Sequence, residues 1–337
     1  MSLTRRGRGL LVVVAVAELL AITYGARALN AIVAPAVVAL LAAAVQARRA
    51  DAPRIERTAA APGFPGDERT VEVDIDGSGV ASISDTVPDG LTAAGPTAEA
   101  SLPTTVAYTL TYRERGAYEL GPVEVRIRDV LGLVERTYEV GPTREVLVYP
   151  PVYQVAGQGA VAQRVFDRAE VERQEFDALR EYVPGDPTRD INWKATARDP
   201  EEMYVTEFAG RTVEDDLVIA ATADAGSVDE MAAAAASVAV AALDAGLEVE
   251  LRLPDRTVEM GRGERQHEAV LAALARTTTD FTSPLESYAL DDAAVEDADI
   301  LVEAEAEGVV VTAGRHSQSI EELTGSRENP LRVGVDA

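Results

Sequence analysis

The stretch Leu217–Leu253, LVIAATADAGSVDEMAAAAASVAVAALDAGLEVELRL, decides the fold of the C-terminal part of the chain. Leu217 to Ala221 is an apolar run of strand length, Asp229 to Ala245 is a helical stretch of Ala with Val, Met and Leu, and Leu247 to Leu253 is a second strand. The alternation continues with a helix from Gln266 to Arg276 and apolar runs at Ile300–Val302 and Val309–Thr312. A short helix near Ile320–Leu323 and a last strand at Leu331–Val335 complete it. Strands alternating with helices predict an α/β domain over 215–337, with a parallel sheet covered on both faces.

Just upstream lies Arg180–Arg198, REYVPGDPTRDINWKATAR, which places the only Trp, Trp193, beside the only Lys, Lys194. Pro184 removes a donor and Gly185 favours a turn, so Tyr182–Asp186 is not helix interior. Asp190–Arg198 reads as one or two helical turns capped by Thr188 or Asp190, and Met203–Phe208 alternates as a strand. Arg180, Asp186, Arg189, Lys194 and Arg198 around one indole could form a basic pocket for an anionic group or an acidic partner segment, with Trp193 as a stacking floor. The same residues fit a second arrangement, in which Asp186 pairs with Arg189 or Arg198 and Trp193 plugs the joint between two domains.

The box resembles the signature of the domain-of-unknown-function 58 family, Arg-x-Tyr-x-Pro-Gly-Asp running into Arg-x-Ile-x-Trp-Lys and Ala-Arg. Arg180, Tyr182, Pro184, Gly185, Asp186, Arg189, Ile191, Trp193, Lys194, Ala197 and Arg198 carry the likeness. Two further family-like motifs precede it, Arg-Gly-x-Tyr-x-Leu-Gly-Pro at Arg115–Pro122 and Arg-Asp-x-Leu-Gly-Leu at Arg128–Leu133. The resemblance implies a von Willebrand factor A-like, Rossmann-like domain over 215–337 and a partner among the MoxR-type AAA ATPases. It also implies a metal site at the top of the first strand, where Asp-x-Ser-x-Ser would offer hard oxygens to magnesium. This chain has Thr222, Asp224 and Ser227 there at the wrong spacing. The expected metal site is therefore degenerate, with those three as residual ligands and no cofactor.

Between 67 and 150, short alternating segments at Thr70–Ile75, Thr104–Arg113, Ala117–Ile127, Leu133–Val140 and Glu145–Tyr149 are punctuated by Gly and Pro, which predicts a small β-sandwich. Asp74-Ile-Asp-Gly-Ser-Gly79 looks like the start of a calcium loop. It lacks a closing Glu and flanking helices, and reads as a hairpin turn. Residues 151–214 connect the two domains and contain the box. Residues 51–66, rich in Pro, Ala and Arg, read as a linker.

The first fifty residues are apolar. Leu10–Tyr24 and Ala28–Ala47 each approach the length of a membrane span, and three residues separate them, so they predict two transmembrane helices in a tight hairpin over 1–50. Arg5, Arg6 and Arg8 precede the hairpin and Arg48, Arg49 and Arg54 follow it, against Arg27 in the turn, which places both ends and the soluble domains in the cytoplasm. A cleaved secretory signal ending at Ala26-Arg-Ala28 is the rival reading, against which the second span argues. Glu18 reads as a residue near a helix contact.

Composition bounds the function. There are 57 Asp and Glu against 31 Lys and Arg, giving a net charge of −26, and 30 of the 31 basic residues are Arg. Such a surface repels itself in dilute buffer and is screened near molar salt, as in an extreme halophile. No basic stripe suggests nucleic acid, and the absence of Cys excludes disulfides and thiol catalysis. The Lys of a phosphate-binding P-loop, a His-x-x-x-His zinc pair and a Gly-x-Ser-x-Gly elbow are all missing, so no enzyme motif emerges. The residues thus suggest a membrane-anchored interaction or scaffold protein, and the family resemblance implies an adaptor for a MoxR-type AAA ATPase. An anion-binding receptor or enzyme acting on a cell-envelope precursor through residues 180–198 is the alternative.

Overall fold

The computed structural model describes residues 1–25, 27–49, 51–155, 162, 179–181, 204–206, 216–277 and 288–324. The chain divides into two units, Met1–Val148 and Tyr149–Ala337.

In the first unit, β1 (Ser2–Leu3) leads into α1 (Arg5–Tyr24), and α2 (Asn30–Arg49) follows a 3-10 turn. Thr4 Oγ1 accepts the Gly7 N–H at 3.1 Å, and Gly25 closes α1 in the left-handed region at φ 69°. Both helices are 20 residues long. At about 1.5 Å per residue each reaches about 30 Å, the thickness of a bilayer's hydrocarbon core. Their apolar side chains point outward, with Leu19 64% and Ile22 76% exposed. Hydrocarbon, not water, suits such surfaces.

The strands that follow are β2 (Arg54–Arg57), β3 (Glu68–Asp85), β4 (Leu91–Ala94), β5 (Thr97–Tyr112), β6 (Gly116–Leu120), β7 (Val123–Arg128), β8 (Val134–Val140) and β9 (Arg144–Val148). One antiparallel sheet runs β1-β8-β7-β3-β5-β4 with β2 also on β3, and β6 pairs β9 in a second sheet. Alternate residues such as Val71, Val73, Ile75, Leu110 and Val125 form the core between them. Asp76–Gly79 is not the hairpin turn expected from its Gly and Ser. β3 runs through it with a bulge between Ile75 and Gly79, the latter at φ 106°, and β5 pairs on both sides. The single strand expected over Ala117–Ile127 breaks at Gly121 (φ 99°), where the chain leaves the small sheet for the large one.

A buried polar knot fastens this unit. The Arg57 Nη2 donates to both oxygens of Asp85 at 2.6 and 2.7 Å, its Nη1 donates to the Leu120 carbonyl at 2.7 Å, and the Tyr108 hydroxyl donates to Asp85 at 2.6 Å. A side chain on Gly121 would meet Arg57 Nη1 at 2.6 Å, so the corner must be glycine for space as well as for φ. Arg57 lies within the stretch read as a linker, part of which is therefore built into the β-unit as β2.

In the second unit, β10 (Leu179–Glu181) pairs antiparallel with β11 (Tyr204–Thr206). The main sheet contains β12 (Asp216–Ala223), β13 (Glu248–Leu253), β14 (Arg256–Gly261), β15 (Ile300–Glu305), β16 (Gly308–Ala313) and β17 (His316–Ser319), in the order β14-β13-β12-β15-β16-β17. Its helices are α3 (Val228–Asp244), α4 (Glu264–Ala275), α5 (Asp292–Glu296) and α6 (Ile320–Thr324). β12 pairs in parallel with β13 and β15; the other three strands join as antiparallel neighbours. The result is a mixed sheet, not a parallel one, because two-residue turns at Pro254–Asp255 and Ala306–Glu307 return the chain at once, with no crossover helix.

Register places Leu217, Ile219, Ala221, Val249, Leu251, Ile300 and Val302 on one buried face. The other face carries Glu248, Glu250, Arg252 and Glu303, half-buried. Among the described residues it is touched by the short α5, where Ala294 O accepts from Arg252, and the apolar face takes α3. Helix α3 is buried on almost every side. Its Ser237 hydroxyl accepts the Tyr153 N–H at 2.9 Å, so the segment after Tyr149 lies against it, and small Ala side chains admit that close approach.

Replacing Asp85 by Ala leaves the Arg57 guanidinium buried without its counter-charge. Chemical denaturation in detergent is expected to show a loss of about 3–5 kcal/mol for the β-unit. Tyr108→Phe should cost less, about 1.5–3 kcal/mol.

Candidate functional site

In α/β sheets a ligand crevice lies outside the carboxyl ends of the parallel strands, where successive strands depart to opposite sides. Here β13 and β15 flank β12, so that point lies between β12 and β15. The loop Asp224–Ser227 fills it. The Asp224 N–H donates to Ala304 O at 2.8 Å, the Ser227 N–H donates to Asp224 O at 3.0 Å, and Gly226 turns the chain at φ 95°. Ser227 Oγ donates to Glu305 O at 3.3 Å.

Of the three residual metal ligands, Thr222 is half-buried on β12, the Asp224 carboxylate is exposed, and the Ser227 hydroxyl is engaged by a backbone carbonyl. Among the described residues no three His, Asp or Glu side chains are grouped to hold a metal ion. Two residues not singled out from the sequence share this edge. Tyr288 exchanges backbone hydrogen bonds with Ala223 at 2.9 and 2.7 Å, and its hydroxyl donates to Asp255 in the β13–β14 turn. Asp255 also accepts from Arg256 Nε at 2.9 Å and Nη2 at 2.6 Å. The dipeptide Pro254-Asp255 is a turn signal that could have marked Asp255; Tyr288 stands in sequence with no periodicity to mark it.

Burial pushes the Asp255 carboxyl up, but hydrogen bonds from Arg256 and Tyr288 outweigh it and hold the group below its ordinary 3.8. The Tyr288 hydroxyl is raised above 10.0, first by burial and then by its bond to Asp255. The pair therefore keeps a neutral phenol against an ionised carboxylate. It braces the edge, where the Asp224 and Glu305 carboxylates are exposed.

The backbone of Arg180 lies in β10, opposite Val205. Tyr182, Gly185, Asp186, Arg189, Trp193, Lys194 and Arg198 lie outside the described residues.

Residues 178–312 match the family described as "Protein of unknown function DUF58", a segment that takes in the Trp193–Lys194 box and five strands of the main sheet. No curated protein matches the chain. Among solved structures, the E. coli chaperone DraB aligns at 11% identity over 31% of this chain and 64% of its own, with a TM-score of 0.21, too slight a likeness to bear on fold or function. The chain thus spans less than two thirds of that chaperone.

The tyrosine–aspartate brace gives the second unit a signed pH dependence. Above pH 10 an unfolded Tyr288 ionises while the folded one does not, so stability should fall as pH rises past its ordinary value of 10.0. Denaturation midpoints at pH 9 and 11 should converge in Tyr288→Phe relative to the parent. At neutral pH that variant should lose about 1 kcal/mol, the low side for a charged acceptor because Asp255 is partly solvated.

Proposed function

We propose that this chain is a membrane-anchored adaptor of the DUF58 type, held by its N-terminal hairpin and presenting a von Willebrand A-like domain to a MoxR-type AAA ATPase. The observation that carries the anchoring is the pair of 20-residue helices whose apolar side chains face outward. The N-terminal end of α1 and the C-terminal end of α2 both pack on Leu133 and Val134, so the two ends lie on one side of any bilayer the helices cross. Arginines at both ends favour the cytoplasmic side. A signal cleaved near Ala28 would discard β1 and the Thr4 contacts, which weighs toward the retained hairpin.

The domain assignment is supported by strand order. Counting from β12, the sheet runs 3-2-1-4-5-6, as in Rossmann-like sheets, although strands 3, 5 and 6 return as hairpins. The adaptor role is supported by the family resemblance of the 180–198 box. The acidic composition suits a partner met at high salt.

The test is affinity capture of the tagged chain from detergent-solubilised native membranes at high salt, comparing the parent with a folded Trp193→Ala variant. An AAA ATPase recovered with the parent and lost with the variant is the expected result. Its absence from both, together with saturable binding of a small anion that Lys194→Ala abolishes, would favour the receptor reading instead.

A further inference from the structure

Where the hairpin meets the β-unit, a groove of about 920 Å³ runs along α2, walled by Val38, Leu41 and Val45 on one side and Ile127 and Val130 on the other. Arg49, Arg128 and Arg136 stand among its lining residues. At about 1.5 Å per residue, Val38 lies about 16 Å along the helix from Arg49. The groove therefore has a lipid's proportions, with an apolar length and a cationic end.

The loop between β7 and β8, one of the two family-like motifs the function above leaves unused, forms its outer lip. Val130 is 85% and Leu131 52% exposed. Two large apolar side chains at a loop tip are costly in water and are stabilised in hydrocarbon. The loop is held in shape by Asp129, buried, whose carboxylate accepts the Leu131 N–H at 2.9 Å and the Val134 N–H at 2.6 Å. Its far end is fixed to the hairpin, since Thr4 Oγ1 donates to Gly132 O at 2.6 Å. Val130 is thereby held beside α2, with Leu131 next to it at the loop tip.

The charge at the top of the groove is unusual for this chain. Residues 1–49 contain six Arg and one Glu, a balance of 6 − 1 = +5 in a protein whose total is −26. Arg49 makes no ion pair among the described residues, and Arg136 stacks its guanidinium 4.8 Å from the Tyr138 ring. Arg128 is shared with Glu99 at 3.4 Å and Glu135 at 3.8 Å. A second cleft adjoining Arg128 is lined by Arg5, Arg6, Arg8 and Arg126, which extends the positive field around the hairpin's ends.

We propose that this groove binds an anionic phospholipid, its chain along Val38–Val45 under the Val130–Leu131 lip and its phosphate against Arg49 and Arg136. Guanidinium groups bind phosphate bidentately, and juxtamembrane arginines draw anionic headgroups. The site rests on the membrane-anchored reading above.

The experiment is native mass spectrometry of the full chain from mixed micelles doped with phosphatidylglycerol or phosphatidylcholine. Phosphatidylglycerol should be retained preferentially, and Arg49→Gln with Arg136→Gln should weaken that retention about fivefold for each arginine removed. Val130→Asn with Leu131→Asn, which touches no charge, should also shorten retention, and it serves if the arginine variant fails to fold. Equal retention of the two lipids, or phosphatidylglycerol binding unchanged in both variants, would overturn the assignment. So would complete displacement by excess inorganic phosphate, which would make the site one for free phosphate. Release of the chain from membranes by alkaline carbonate would instead remove the anchoring reading itself, whereas a chain that stays embedded without headgroup preference loses the groove alone.

Discussion

The carbonyl group of Leu133 joins the apolar hairpin to the β-unit. It accepts the Thr4 N–H at 3.0 Å, and it sits so close to Gly7 that a methyl group there would overlap it. β1 pairs with β8 beside it, and Ala43, Ala47, Leu133 and Val134 close a small core around the junction. Small residues on both helices are what allow the loop to approach, in the way membrane helices use Gly and Ala to bring backbones together. With this seam in place the helices and the β-sheet share one frame, so every later element of the first unit has a defined position relative to the hairpin. Were Gly7 larger, the strand pairing of Ser2 and Leu3 and the shape of the Asp129–Gly132 loop would have to change together.

The Arg57–Asp85–Tyr108 knot performs a related task inside the sandwich. The Arg57 guanidinium links β2 to the ends of β3 and β6, and the Asp85 carboxylate brings in β5 through Tyr108, at the corner where the chain changes sheets. An apolar plug could fill the same space and cost less desolvation. What the polar version adds is direction, because Nη2 held between both Asp85 oxygens and Nη1 held by one carbonyl fix where Arg57 points and so help to fix the register of β2 on β3. Tyr112 plays a lesser part of the same kind, donating to Ala61 O at 2.7 Å, its hydroxyl pushed up to about 12 by burial.

Periodicity made much of the fold legible. Both apolar spans, α3, α4, α6 and most strands stand within a few residues of where hydrophobic pattern places them. Long-range geometry was less so. A Gly-rich stretch reads equally as a turn or a bulge, and only pairing of β5 on both sides of Gly79 decides it. Arg57 sits in a segment whose composition is that of a linker, and nothing local announces that its partner is Asp85. The polar residues Glu248, Glu250 and Arg252 did carry the sign that one face of the second sheet is the more polar of the two, since a strand buried on both sides reads as a continuous apolar run. At the carboxyl edge, Asp224 and Ser227 were visible by their place after the first strand, whereas Asp255 and Tyr288 come together from opposite ends of a crossover and have no common motif.

Charge ties the two ends of the chain to different surroundings. If the first 49 residues carry +5 of a total of −26, the rest of the chain carries −31, which like-charge repulsion tends to hold away from an anionic membrane surface. In the membrane-anchored reading, the arginines around Arg49 and Arg128 lie where the helices leave the bilayer. They act there as a local reversal of sign, attractive over roughly a Debye length, while the acidic remainder is repelled. At molar salt that length shrinks to about 3 Å, so repulsion between the acidic body and the headgroups fades while contact pairs with phosphate persist. On that reading, strong salt favours the arginine contacts over the repulsion of the acidic residues, because salt removes the long-range repulsion and spares the short-range attraction.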